Sequence, residues 1–250
     1  MLEAYNLTKH FQDKKRGLIR AVDGIDLQCH RGEIFGLLGL NGAGKTTTLR
    51  LVATILRPDG GTITIDGIDA VAQPSRVRGR IGFLTGATGL YPRLTPRETL
   101  TYFGELAHMD KSELARRRDE LIDQLGMSEF ADRRCDKLSS GQKQRTSIAR
   151  TLIHDPPLLI LDEPTIGLDV VTSRAIVEFI RAARNNDKCV ILSTHIMHEA
   201  AKLCDRIAIL HEGRIRMVGT LDDFRRQYGH QDLDDIFIAA IEGRSAVPGV

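Results

Sequence analysis

The chain has 250 residues, 42% of them hydrophobic and 27% charged, enough to bury a real core as one large domain or one domain with an insert. Its net charge of +2 is too small for a nucleic-acid footprint, so no nucleic-acid partner is expected. The scattered cysteines Cys29, Cys135, Cys189 and Cys204 contain no C-x-x-C pair, which fits a reducing cytosol rather than a zinc site or a disulfide framework. The N-terminus lacks the basic flank and apolar core of a signal peptide, and no run approaches the ~18 apolar residues of a membrane helix. Any work at a membrane therefore falls to another chain.

In chain order, residues 1 to about 30 alternate apolar and polar, as in Ala21 to Leu27, which predicts antiparallel strands around a polar turn at Asp13–Gly17. Phe11, just before that turn, is suited either to stacking on a base or to packing. The apolar run Ile34–Leu38 predicts a buried strand and leads into Gly39-Leu40-Asn41-Gly42-Ala43-Gly44-Lys45-Thr46, which fits the phosphate-loop pattern G-x-x-x-x-G-K-[ST]. Helical spacing follows from Thr46 to Val52. The glycines let backbone N–H groups turn inward around a phosphate, and the new helix points its positive end at the same anion. Lys45 can reach the β- and γ-phosphates and the Thr46 hydroxyl can ligate Mg²⁺. A dinucleotide fingerprint is disfavoured because Thr47 stands where its third glycine would be.

Arg57–Gly61 is turn chemistry, and Thr62–Ile65 and Ile81–Leu84 predict short strands. Thr95-Pro96-Arg97-Glu98 is a capping box with proline at the first helical position. Helical spacing over Leu100–Leu106 and Leu114–Leu125 predicts a mainly helical insert, about 88–155, in an α/β domain. Arg116 to Arg118 read as a solvated helix face. Leu138 to Gln142 is a polar helix start with serine caps, ahead of a helical run from Arg145 to Leu152.

Leu158–Leu161 is a short apolar strand with Asp162-Glu163 at its carboxyl end; Cys189–Ser193 is a second, ending at Thr194-His195. The helical pattern of Thr172–Arg184 between them implies parallel βαβ units, whose ligands bind outside the carboxyl ends of the strands. The phosphate loop, Asp162-Glu163 and His195 all fall at such ends. Asp162 is the expected Mg²⁺ partner of Thr46, and Glu163 has the chemistry to accept a proton from an attacking water. The residues 206–210 and 214–218 predict a hairpin, Leu221–Ile241 a helix, and Glu242–Val250 a frayed tail. The start of the helix at Ser139 is a second anion site, placed in the insert; two chains packed head to tail could bring it to the phosphate loop of a partner.

Leu138–Gln142 resembles the LSGGQ signature of the nucleotide-binding subunits of ABC transporters, with Ser140 in place of the first glycine. Leu158–Glu163 resembles their Walker B strand, Gly167-Leu168-Asp169 their D-loop, His195 their switch histidine and Phe11 their adenine-stacking aromatic. The resemblance covers nearly the whole chain, 1–241 as one domain. It implies a P-loop NTPase fold: a RecA-like core with a mixed, mainly parallel sheet, an N-terminal antiparallel β part and a helical insert carrying the signature.

By the same resemblance, MgATP lies between Gly39, Asn41, Gly42, Ala43, Gly44, Lys45, Thr46 and Thr47 of one subunit and Ser139, Ser140, Gly141 and Gln142 of the other, near Asp169. Glu163 and His195 carry catalysis, and Thr46 and Asp162 hold the metal. The ATP-bound homodimer then drives an integral membrane permease from the cytoplasmic face. Ile81 to Tyr91, Ser193–Met197 and Asp232–Phe237 resemble more closely the sodium-extrusion (NatA-type) subunits of ABC-2-like exporters. One departure is Gly86, where the family carries a glutamine that touches Mg²⁺ and water. The alternatives are a non-transport ATPase of the same superfamily and a regulatory nucleotide-binding subunit.

Overall fold

The computed structural model describes residues 1–15, 17–85, 89–229 and 231–243. Position 86, with its expected effect on the metal, and the tail beyond 243 lie outside the described residues. The chain opens with two long antiparallel strands, β1 (Leu2–Asp13) and β2 (Gly17–Cys29), paired from Leu2↔Cys29 to Asp13↔Gly17. With β4 (Gly60–Ile65) and β5 (Ile68–Asp69) they make a four-stranded sheet in the order β2-β1-β4-β5. The glycines expected to form a turn at 60–61 instead begin β4. Gly61 has φ 89° and lies so close to β1 that a Cβ would stand 2.5 Å from the Tyr5 carbonyl oxygen, a place only glycine tolerates.

The second sheet is mixed, in the order β10-β9-β3-β8-β7-β6. Strands β3 (Ile34–Leu38), β6 (Ile81–Leu84), β7 (Leu158–Asp162), β8 (Cys189–Thr194) and β9 (Arg206–His211) run parallel; β10 (Arg214–Gly219) pairs antiparallel to β9. Every residue of β3, β7 and β8 is buried, which explains their unbroken apolar runs: parallel strands are covered on both faces.

Helix α1 (Lys45–Val52) fills the space between the sheets. Its Leu49 and Val52 pack in one core with Leu2, Ile25 and Ile63 of the antiparallel sheet and Phe35, Ile160 and Ile191 of the parallel one. The opposite face is covered by α3 (Pro96–Leu106), α4 (Lys111–Gln124), α5 (Ser140–Leu152) and α6 (Val170–Asn185), around Leu159, Leu161, Val190 and Leu192. Smaller helices complete the chain: α2 (Pro74–Arg78), α7 (Met197–Leu203), α8 (Leu221–Tyr228) and α9 (Leu233–Glu242). Among the described residues no helix is long and apolar enough to cross a membrane.

The capping box at Thr95 and Glu98 forms in both directions. Helix α5 starts at Ser140, within the polar helix start expected at Leu138–Gln142, where Ser139 and Gln142 close a second capping box. The single helix expected over 221–241 is two, since Gly229 adopts a left-handed φ of 69° and terminates α8. At the other end Glu242 is still helical and Gly243 caps α9, so the predicted tail begins later than Glu242.

Gly82 of β6 marks where α5 and the segment after it cross the sheet: a Cβ there would lie 2.6 Å from the Thr151 carbonyl oxygen and 2.8 Å from Pro156 Cγ. Backbone cannot yield as a side-chain tip does. Gly82→Val should therefore lower the unfolding free energy by about 1–3 kcal/mol, the usual cost of overpacking, measured by urea denaturation. A variant of unchanged midpoint would show that α5 sits farther from β6 than described.

Candidate active site

The phosphate loop leaves the end of β3 and turns sharply into α1. Gly42 and Gly44 carry φ of 83° and 109°, conformations that L side chains resist. Close approach also requires glycine at 39 and, again, at 44. A Cβ on Gly39 would stand 2.6 Å from the Leu210 carbonyl oxygen, and one on Gly44 2.3 Å from that of Ala21. The tip of the β9–β10 hairpin braces the loop, as Gly213 N–H donates to the Ala43 carbonyl at 2.9 Å while the Gly213 carbonyl accepts from Asp23 N–H at 2.8 Å. The loop is thereby held between both sheets.

Three strand ends then bring the predicted side chains together. Lys45 is buried, and its ammonium donates to the carbonyls of Gly39 (2.7 Å) and Leu40 (3.3 Å) and lies 3.4 Å from Glu163 Oε1. The Thr46 hydroxyl donates to Asp162 Oδ2 at 2.9 Å. His195 Nδ1 is 3.0 Å from the same Glu163 Oε1, so the tautomer protonated on Nδ1 donates to it. Glu163 follows β7 directly with φ 50°, an uncommon conformation for a non-glycine residue that costs on the order of 1–3 kcal/mol unless the surroundings hold it.

An open cavity of about 570 Å³ lies against this cluster, lined by Asn41, Gly42, Lys45, Thr46, Thr47 and Glu163, with Arg20 and Glu212 at its sides. Ala43 is buried behind it. Phe11 does not line the cavity, though its ladder partner Ile19 does. The Phe11 ring is exposed, with Lys9 Nζ 5.7 Å from its centroid.

Residues Ser139, Ser140, Gly141 and Gln142 do not line the cavity either. They form the start of α5, where the Ser139 hydroxyl accepts from Gln142 N–H (3.2 Å) and Gln142 Oε1 accepts from Ser139 N–H (3.0 Å). Gly141 packs on Thr172, where a Cβ would be 3.0 Å from its hydroxyl. Asp169 caps α6 through Thr172: its carboxylate accepts from the Thr172 N–H (2.9 Å) and hydroxyl (2.7 Å), which together hold it below the ordinary carboxylate range. The fold thus presents two separate helix starts, α1 and α5.

Two polar residues to which the sequence reading gave no site role complete the first cluster. Ser193 donates to Asp162 Oδ1 at 2.5 Å and accepts from Glu163 N–H at 3.1 Å. The Thr194 carbonyl accepts from Gly39 N–H (3.4 Å) and its hydroxyl from Ile196 N–H (3.0 Å), shaping the turn that presents His195. Their signal was available: two polar residues close an otherwise apolar, buried strand.

Arranged this way, the loop suits a polyphosphate. A buried ammonium rests on its own loop carbonyls, ready for a stronger acceptor. The paired oxygens of Thr46 and Asp162 are the hard ligands magnesium prefers.

Residues 22–166 match the family model described as ABC transporter. The chain belongs to this family. It is 41% identical over 242 residues to the ABC transporter ATP-binding protein NatA of Bacillus subtilis (strain 168), covering 96% of this chain and 98% of that protein. It is 41% identical over 202 residues to the Nod factor export ATP-binding protein I of Paraburkholderia xenovorans (strain LB400), covering 80% and 66%. Its fold matches a dimeric post-hydrolysis structure of an ATP-binding cassette bound to ADP and Pi, with TM-score 0.80 and 27% identity over 88% of this chain and 98% of that one. The chain is an ATP-binding subunit of an ABC transporter, in which the cassette hydrolyses ATP to power transport.

Gly44→Ala tests the cassette's loop geometry. A methyl group at φ 109° and 2.3 Å from a carbonyl forces the loop away from β2. ATP affinity should fall at least ~10-fold, about 1.4 kcal/mol, in a titration with a fluorescent ATP analogue. Undiminished affinity would mean that phosphate binding does not depend on this turn.

Proposed function

We propose that this cassette is the hydrolytic subunit of an exporter, working as a head-to-tail pair on a separate membrane permease at the cytoplasmic face. The observation that carries the catalytic part is the convergence of Lys45, Thr46, Asp162, Glu163 and His195 at three neighbouring strand ends. In this reading the ATP phosphates enter the cavity beside the loop, and Lys45 exchanges its carbonyl partners for the β- and γ-phosphates. The backbone N–H groups from Gly42 to Thr47 surround the same oxygens. Thr46 and Asp162 would hold Mg²⁺, which when bound neutralises charge on the phosphate oxygens. Glu163 takes the proton of the attacking water, and His195, already bonded to its carboxylate, orients it toward the γ-phosphate. Phe11 stacks on the adenine at the exposed end of β1.

Pairing is supported by the second helix start. Among the described residues no anionic side chain pairs with Ser139 to Gln142, and beside them Asp169 opens α6 with Val170 and Val171, 84% and 76% exposed. Two large apolar side chains so exposed next to a capped helix start suit burial against a second copy. The signature of one cassette then closes over the nucleotide of the other, and hydrolysis releases it. Export is favoured by the likeness to an export subunit, and sodium as cargo rests on the sequence resemblance of 81–91, 193–197 and 232–237 to sodium-extrusion subunits.

Glu163→Gln should leave ATP affinity near normal and lower turnover roughly 10²–10⁴-fold, the usual worth of a positioned base. The same variant should elute as a dimer with MgATP in size-exclusion chromatography. Near-normal turnover would remove Glu163 from the base role, and a monomer in MgATP would count against the paired reading.

The permease is tested by pull-down of the tagged chain from detergent-solubilised membranes, which should recover a polytopic membrane protein. Recovery of ribosomal or DNA-repair proteins instead would refute the transport partner. Vesicles holding the recovered complex should show sodium flux that depends on ATP; flux indifferent to ATP would exclude sodium.

A further inference from the structure

We propose that Ser193 is a positioning residue for hydrolysis, its single hydroxyl fixing Asp162 and Glu163 relative to each other and to the phosphate loop. Ser193 is the penultimate residue of β8, fully buried, and the register partner of Asp162 in the parallel β7–β8 pair. Directly paired residues of neighbouring strands project to the same face, so the two side chains meet. The hydroxyl proton goes to Asp162 Oδ1 (2.5 Å), and the hydroxyl oxygen accepts Glu163 N–H (3.1 Å). The Ser193 carbonyl accepts that same N–H, also at 3.1 Å.

Asp162 spends its other oxygen on the Thr46 hydroxyl. A continuous chain of hydrogen bonds therefore runs from α1 through Thr46, Asp162 and Ser193 to the backbone of Glu163. Glu163 sits in the left-handed region, where a non-glycine residue stays only if its surroundings hold it. Ser193 supplies that hold from two atoms.

Val190, Ile191 and Leu192 just before it show that this strand needs only apolar bulk to pack. A hydroxyl at the one position facing Asp162 is therefore explained by what it orients. Removing it leaves a buried carboxylate oxygen without a donor and reduces the hold on the turn that aims the carboxylate of Glu163 to the Ser193 carbonyl alone.

This inference rests on Glu163 as the base. Its test uses Ser193→Ala and Ser193→Cys, the latter close in shape but a weak donor, in the full chain. ATP affinity, read with a fluorescent ATP analogue, should stay within about threefold, because Lys45 and the loop are untouched. Turnover per bound nucleotide should fall about 10–100-fold in both variants. Placed on Glu163→Gln, Ser193→Ala should lower turnover by much less than it does alone, since residues acting as a unit are not additive.

Turnover within about twofold of the parent would overturn the inference, as would affinity and turnover falling together, or an undiminished drop on the Glu163→Gln background. A Glu163→Gln variant of near-normal turnover sinks the base assignment itself. Glu163 essential with Ser193 indifferent sinks only the role of Ser193.

Discussion

Asp162 is the point on which the site depends. Its carboxylate is buried at the end of β7 and takes one hydroxyl from each side: Thr46 from the first turn of α1 and Ser193 from β8. A buried carboxylate must be hydrogen-bonded to be tolerated. Meeting that demand ties three segments far apart in sequence into one arrangement. The parallel register Ile34↔Val190 and Asp162↔Ser193 makes the meeting possible, because it brings the carboxyl ends of β3, β7 and β8 level. Loop, carboxylates and histidine then open on one edge, where ligands of such sheets bind.

The same edge gains its stiffness from the layers behind it. Helix α1 is wedged between two sheets and buries Leu49 and Val52 against both, so its first turn cannot drift from β7 without opening the core. Glycine at 44 and 213 lets the loop and hairpin approach β2 of the other sheet, and glycine at 39 lets the loop approach β9, closer than any Cβ permits. Rigidity of this kind suits a phosphate site, whose donors act best when they need no rearrangement at the moment of reaction.

In the proposed pairing the cassette holds only part of what its chemistry uses. The N-terminus of α5, with its reciprocal Ser139–Gln142 cap, does not line the cavity that Lys45 and Glu163 line. Capping geometry explains why these residues are polar, but it satisfies only part of the helix's orphan N–H groups. The proposed pairing puts the remainder to use on a partner's nucleotide. It also gives Val170 and Val171 a place to be buried.

Much of this was legible in the sequence because the deciding features are local. The glycines of the phosphate loop, the capping box at Thr95 and Glu98, the apolar runs of β7 and β8 and the hairpin around Gly213 each follow from the conformation or burial of a few consecutive residues. The family resemblance added the signature at Ser139 and the expectation of a second subunit. One boundary was misread: a left-handed Gly229 divided one expected helix into α8 and α9. The role of Ser193 was missed for a different reason. A serine ending an apolar strand has no meaning until strand order and register set it beside Asp162, 31 positions earlier, and that pairing exists only in the assembled sheet. Sequence by itself determined which groups could bind a phosphate and carry a proton. Tertiary structure decided which of them share hydrogen bonds, because distance between strand ends is a property of the sheet and of no single segment.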